Sequence, residues 1–246
     1  RIDLIAQAWS VLSGQAPAAM QRQAMEAVEA CLVDTDAGLL QLLTPPLAQA
    51  VPSAGYIQAY PPGVRENGGQ YSHAGVWALM AAAALAVRQP EGTPARDTPY
   101  RYFIYLSPAH RAAHPAWGPV YGVEPYAMAA DVYSQPPYVG RGGWSWYTGA
   151  AGWLHRAAVE SLLGLQMGAD ELCFTPCLPS HWPRAEISLV RDGRSMRFVL
   201  VRGDPTAALA EIGTTAGARL LAVGEPLRWG ELPAHSSFVV PLPAGG

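Results

Sequence analysis

Two stretches of this chain hold the residue types that can do chemistry: Pro61-Pro62-Gly63-Val64-Arg65-Glu66-Asn67-Gly68-Gly69-Gln70-Tyr71-Ser72-His73 and Gly140-Arg141-Gly142-Gly143-Trp144-Ser145-Trp146-Tyr147-Thr148-Gly149. A carboxylate such as Glu66 accepts hydrogen bonds from two vicinal hydroxyls, and the neighbouring Arg65 offers matching donors. Gly68 and Gly69 let the backbone come close to a ligand. His73, seven residues after Glu66, opens an apolar segment and can donate to an anion held at a helix end. Thr148-Gly149 opens another, where a hydroxyl and free backbone N–H groups suit an oxyanion or a phosphate. Tyr60, just before Pro61, is placed to meet a sugar ring. Each reading has a structural alternative. Asn67 or Thr148 can be a helix cap, Glu66 can sit at a positive helix end, and His73 can be a satisfied core residue. Trp144, Trp146 and Trp153 can form a sugar platform or core, with the helical spacing of Trp153 pointing to core.

The elements around these stretches read as helices first and strands later. Ile2, Ile5, Ala6, Trp9 and Leu12 keep helical spacing with Gly14 as a stop. Further helices are expected over about Ala18 to Leu32, Tyr71 to Val87, Glu124 to Tyr133 and Gly149 to Leu165. Long loops are expected over Asp34 to Gln70 and Thr93 to Val123, and loops of that length inside a compact domain are usually functional. After about Gly168 the pattern alternates. Glu186 to Val190 and Ser195 to Val201 read as a hairpin through Asp192-Gly193, and Leu209 to Ile212, Arg219 to Val223 and Ser237 to Pro241 read as further strands. The fold class is mainly α with a C-terminal antiparallel β-domain. The boundary is placed so that residues 1–166 form a helical domain and residues 167–246 a β-sandwich.

Composition narrows the function. Of 246 residues, half are hydrophobic and only 14% charged, which supports a large core. Net charge is −3 and every cation is Arg, so there is no basic stripe for nucleic acid. Cys31, Cys173 and Cys177 suggest neither a disulfide framework nor a metal site, and they fit a reducing, cytoplasmic setting. Ala78 to Val87 is too short to span a bilayer, which takes ~20 residues. Arg1-Ile2-Asp3-Leu4 reads as a helix entered partway, as in a piece of a longer protein. No Walker loop, Gly-x-Ser-x-Gly elbow or His-Glu-x-x-His occurs.

Taken with their order, these motifs resemble the C-terminal part of a glycoside hydrolase family 94 phosphorylase. Within the family they are most similar to the phosphorylase-like region of cyclic β-1,2-glucan synthases and to β-1,2-oligoglucan phosphorylases. The resemblance runs from Ile2-Asp3-Leu4-Ile5-Ala6-Gln7-Ala8-Trp9 through Pro61 to His73 and Val123-Glu124-Pro125-Tyr126. It continues through Gly140 to Trp153 and reaches Pro176-Cys177-Leu178-Pro179-Ser180-His181-Trp182. It implies part of an (α/α)6 toroid followed by a β-sandwich. The implied chemistry is inverting phosphorolysis of a β-glucan to α-glucose 1-phosphate, with inorganic phosphate as co-substrate and no cofactor. By motif, His73, Thr148 and Gly149 would hold phosphate, and Tyr60, Arg65 and Glu66 would contact sugar. The parent is expected to bind a β-glucan oligosaccharide, glucose 1-phosphate and phosphate, and to form a homodimer; it would be membrane-attached if a cyclic glucan synthase.

Two departures refine the expectation. Arg65 stands where cellobiose-type members tend to carry Lys, and Ala130, beside Asp131, stands where they tend to carry Gln. The first alters donor geometry, and the second puts cellobiose in doubt and favours a β-1,2-glucan. The family's general acid lies in a Trp-Asn-Asp-type motif expected upstream of Arg1, and Asp3, Asp34, Asp36 and Asp131 do not match it. This segment alone is therefore expected to be inactive, and half a toroid would expose apolar surface. An inverting hydrolase on the same toroid and a non-catalytic sugar-binding module are the competing readings. Phosphate release from glucose 1-phosphate plus sophorose tests the missing acid: the 246 residues alone should show none, and robust turnover would overturn the expectation.

Overall fold

The computed structural model describes residues 1–90, 93–212 and 218–242. Among these the chain forms two compact units. One comprises Arg1–Leu85 and Thr98–Ala158; the other comprises Ala86–Asp97 and the described part of Val159–Gly246.

In the first unit, α1 (Leu4–Leu12) is entered at Asp3, whose side chain accepts from Ala6 N at 3.0 Å, the expected use of an N-cap carboxylate. Helix α2 (Ala18–Cys31) follows. Short strands then tie down the segment read as a loop: β1 (Ile2–Asp3) pairs with β4 (Leu43–Thr44), and β2 (Val33–Asp34) with β3 (Leu39–Leu40). Helix α3 (Ser72–Ala86) is apolar on all sides and is correspondingly buried, with Ala74, Val76, Ala78, Leu79 and Ala81 fully enclosed. Strands β5 (Gln70–Tyr71) and β6 (Asp131–Val132) pair antiparallel at its entrance.

Two expectations are corrected here. Residues 93–123 are not an open loop but carry α4 (Pro94–Leu106), α5 (Pro108–Ala113) and α6 (Gly118–Tyr121). Their prolines read as breakers, yet Pro108 and Pro119 occupy first-turn positions, where the missing N–H removes no helical bond. Residues 124–133 are not a helix; they form a turn and β6, because their amides and carbonyls pair sideways with two flanking segments. Helix α7 (Thr148–Arg156) starts where expected and passes into π-helical turns over Ala157–Leu162.

Arg111 is fully buried without a carboxylate partner. It donates to Gly38 O at 2.6 Å, Tyr105 O at 3.2 Å and Ala37 O at 3.3 Å, between the rings of Trp117 and Tyr121. Burial pushes its guanidinium down to about 10, still charged at neutral pH. Gly38, at φ 61°, lies against Trp117 so closely that a Cβ would overlap the indole.

In the second unit, β7 (Leu165–Met167), β8 (Glu171–Phe174) and β12 (Leu227–Arg228) form one sheet in the order β12-β8-β7. The other sheet runs β11 (Arg219–Leu220), β13 (His235–Leu242), β10 (Arg194–Arg202), β9 (Arg184–Arg191). The β9/β10 hairpin turns on Asp192 and Gly193, both at positive φ, as a two-residue type I′ turn requires. The purely antiparallel expectation is corrected: β13 runs parallel to both β10 and β11. Parallel neighbours need a crossover, and between β10 and β13 the chain makes α8 (Pro205–Ile212), where a strand over Leu209 to Ile212 was expected. Asp204 Oδ1 accepts from Thr206 N at 2.8 Å at the entry to that helix.

Phe198, fully buried, joins the two sheets' side chains, with ring centroids 4.7 Å from Phe174 and 5.0 Å from Phe238. Phe198→Ala should lower stability by about 3–5 kcal/mol, read as a shifted urea-unfolding midpoint.

Candidate functional site

Residues 128–134 form the frame on which both chemistry-bearing stretches hang. On one side, β6 pairs with β5, Ser72 N donates to Ala130 O at 2.9 Å, and Ser134 N donates to Gly63 O at 3.0 Å. On the other, Gly143 N donates to Asp131 O at 2.9 Å, Ala130 N to Trp144 O at 2.5 Å, Tyr147 N to Met128 O at 2.9 Å and Tyr133 N to Arg141 O at 2.8 Å. The two stretches are thus outer strands of one irregular three-segment ribbon.

The side chains finish the job. Asp131, 1% exposed, accepts from Arg65 N through Oδ2 at 2.7 Å, which holds Arg65 in a left-handed conformation (φ 47°) that a residue with a side chain rarely adopts. A Cβ on Gly143 would overlap Asp131 Oδ1, so the glycine is required by the carboxylate's position. Asn67 does not cap α3, which begins five residues later. It is fully buried, accepts from Leu47 N at 2.6 Å and donates to Tyr60 O at 2.7 Å. Gln70 accepts from Leu40 N and donates to Tyr105 O, and Ser134 Oγ donates to Gly68 O. Every turn of the 60–72 segment is therefore held by a buried polar group.

The sequence-predicted site residues fall into two adjoining sets. Arg65 lies over the Tyr60 ring at 5.3 Å, and its Nε is 3.5 Å from Glu66 Oε2. Burial acts against the guanidinium charge, but Glu66, Tyr60 and Asp131 outweigh it and raise its pKa. Arg65 Nε and Glu66 Oε2 are enclosed yet have no hydrogen-bond partner. In the second set, His73 in the first turn of α3 approaches the first turn of α7: its Cε1 is 4.0 Å from where a Gly149 Cβ would stand. Thr148 is not the cap of α7. Tyr147 holds that position and makes no side-chain capping bond, so Thr148 is the first helical residue and both it and Gly149 are exposed. His73 packs on Trp77 at 4.6 Å and Trp153 at 5.9 Å, which confirms Trp153 as core. Its Nε2 is enclosed without a hydrogen-bond partner, and burial lowers its pKa, keeping the imidazole neutral at pH 7. The Tyr71 and Tyr147 hydroxyls, 3.0 Å apart, bridge the two sets, and burial together with that bond keeps Tyr71 protonated.

Asp131 and the Tyr71–Tyr147 bridge were not among the sequence candidates. A signal for Asp131 existed: it is the lone carboxylate in the apolar run Ala127 to Val132. Among the described residues no group of three or more His, Cys, Asp or Glu could hold a metal, and no helix is long and apolar enough to cross a membrane. An arginine–glutamate ion pair, the His73 imidazole and an open helix start are groups that suit an anion beside a polyhydroxyl ligand.

Residues 1–164 match the glycosyl hydrolase 94 superfamily catalytic domain. The chain belongs to this superfamily. Glycosyl hydrolase 94 relatives include a cyclic β-(1,2)-glucan synthase, NdvB, of Rhizobium meliloti, 44% identical over 85% of this chain and 7% of that protein. A solabiose phosphorylase of Paenibacillus borealis is 33% identical over 78% of this chain and 23% of its own length, and an N,N'-diacetylchitobiose phosphorylase of Vibrio proteolyticus 29% identical over 76% and 22%. The chain therefore spans less than a quarter of each of these relatives. The glycosyl hydrolase 94 match contains the whole three-segment ribbon.

Asp131→Ala should leave the Arg65 amide without its acceptor and destabilise the fold by about 1–3 kcal/mol. The pH dependence separates charge from shape. Burial raises the Asp131 pKa in the folded state, so the native protein holds its proton more tightly than the unfolded chain. Stability from this group is then greatest at low pH and declines as pH rises from about 4 through the raised value. Asp131→Asn should lack that declining component, visible as a wild-type-minus-variant difference in unfolding free energy between acid and neutral pH.

Proposed function

We propose that this chain supplies the phosphate and sugar contacts of an inverting glycoside phosphorylase, a glycosyl-transferring enzyme. What carries the reading is His73 on α3 meeting Gly149 at the start of α7, directly beside Arg65 and Glu66. His73, neutral, donates through Nε2; Thr148 donates its hydroxyl and Gly149 its amide, where the α7 dipole also favours an anion. Tyr60, Arg65 and Glu66 take the sugar, Glu66 accepting from hydroxyls and Arg65 donating.

In the reaction, a phosphate oxygen attacks the anomeric carbon from the face opposite the leaving group. The carbon–oxygen glycosidic bond breaks, and the leaving oxygen takes a proton from a carboxylic acid. The products are α-glucose 1-phosphate and a shortened glucan. Because phosphate is itself the nucleophile, no base carboxylate is needed near Thr148. Asp131 is not the acid, since it is enclosed and engaged by the Arg65 amide. The acid is assigned to a part of the parent protein outside these residues, and the segment alone is assigned no turnover. A β-1,2-linked glucan is the substrate favoured by the 44% identical glucan synthase and by Ala130. In the same reading the first unit is part of an (α/α)6 toroid, the second belongs to a β-sandwich, and the parent acts in the cytoplasm as a homodimer.

The test uses the full-length protein and steady-state phosphorolysis of a β-1,2-glucan. His73→Ala and Thr148→Ala should each raise the KM for phosphate by roughly 10–100-fold, the loss of one hydrogen bond to a charged group. Glu66→Gln should raise the KM for glucan while leaving phosphate nearly unaffected. Phosphate-independent sugar release by the wild type would replace this reading with a hydrolase.

A further inference from the structure

The Glu124-Pro125-Tyr126 turn has no part in the site described so far, yet it is built against the second loop. Within these residues Tyr126 is 76% exposed and Trp146 63%, so neither ring is used to pack this segment's core. The Tyr126 and Trp146 rings lie 6.0 Å apart at 66°, forming a corner rather than a stack. Trp146 Nε1 donates to Glu124 Oε1 at 3.4 Å, which fixes the indole by its edge. Trp146 also sits at φ 63°, a backbone conformation unfavourable for a bulky residue and typical of strain retained at ligand sites. The second carboxylate oxygen, Glu124 Oε2, is enclosed beside the same loop. Two residues beyond Trp146, α7 begins with Thr148.

We propose that Glu124, Tyr126 and Trp146 form a second sugar subsite that binds one pyranose ring of a glucan held in the Tyr60–Arg65–Glu66 site. The assignment rests on the carbohydrate reading of that site, but not on phosphate use. A β-glucose unit has flat faces of C–H groups and a rim of hydroxyls. The corner of two rings takes the face and one edge, and a carboxylate oriented by an indole N–H takes hydroxyl protons on the rim. A protein partner would call for a larger and more continuous apolar patch; here the edge of the Trp146 indole meets a carboxylate acceptor. Glu124 stays ionised, because hydrogen bonds from its own amide and from Ser145 lower its pKa.

Isothermal titration of the full-length protein with a linear β-1,2-linked glucotetraose, in the absence of phosphate, tests the proposal. Trp146→Gly is the informative variant, since glycine adopts the left-handed backbone without strain and removes only the ring. It should weaken glucotetraose binding by about tenfold, as loss of an aromatic anchor does, with thermal stability and phosphate affinity unchanged. Glu124→Gln should weaken binding by at least ~3-fold, the loss of a charge-assisted hydrogen bond. Unaltered glucotetraose affinity in both variants would overturn the proposal, as would a change of assembly state in Trp146→Gly with affinity intact. The phosphorolysis reading can fail separately: a protein that binds glucotetraose through Trp146 but ignores phosphate keeps this subsite and loses that reaction.

Discussion

The whole site depends on one enclosed carboxylate and the strand that carries it. Asp131 lies in the middle segment of a three-segment ribbon, with the Arg65 amide on one side chain oxygen and Gly143 pressed against the other. Its own carbonyl accepts from Gly143 N. A buried charge is costly unless hydrogen bonds and nearby opposite charge offset it; the Arg65 amide and guanidinium offset part of the cost, and burial still raises the Asp131 pKa. The same contacts set the position of the two loops relative to each other. Ligand-facing residues can then sit on irregular backbone and still be placed as firmly as residues on a regular element.

Around that frame the polar groups divide between two tasks. Asn67, Gln70 and Ser134 are buried and fully engaged, and they hold the turns. Arg65, Glu66 and His73 each keep an enclosed polar atom with no hydrogen-bond partner. Such atoms are rare in folded proteins because each forfeits its hydration. Two of these atoms, Arg65 Nε and Glu66 Oε2, face each other at 3.5 Å as an ion pair, and the third, His73 Nε2, lies near the uncapped start of α7.

Much of this was legible from the sequence, and the failures have physical causes. Periodicity located α1, α2, α3 and the start of α7, since burial imposes the helical repeat on apolar residues. Asp192-Gly193 gave the hairpin, since only a few residue pairs tolerate two positive φ angles. The prolines in 93–123 hid three helices: Pro108 and Pro119 sit in first turns, where proline is compatible with a helix, and Pro99 lies inside α4. Residues 124–133 were misread because their apolar side chains reflect burial in a ribbon, and pairing partners sixty residues away leave no local periodicity. Residue types singled out Arg65, Glu66, His73 and Thr148-Gly149 as candidates, each with a structural alternative, and the family resemblance supplied their expected roles. They did not distinguish Asn67 as a staple from Asn67 as a cap, which depends on Leu47 and Tyr60.

The parallel pairing of β10 with β13 has a consequence for how the second unit acquires its shape. The β9/β10 hairpin is local and closes on the microsecond scale typical of hairpins. Its most buried edge, however, is completed by a strand forty positions along the chain, as Ser195 and His235 show. Until that distant segment arrives, β10 presents an unpaired apolar rim containing Phe198, Val199 and Leu200. The interval between hairpin closure and strand insertion is when this unit is most prone to pair with another molecule instead of with itself.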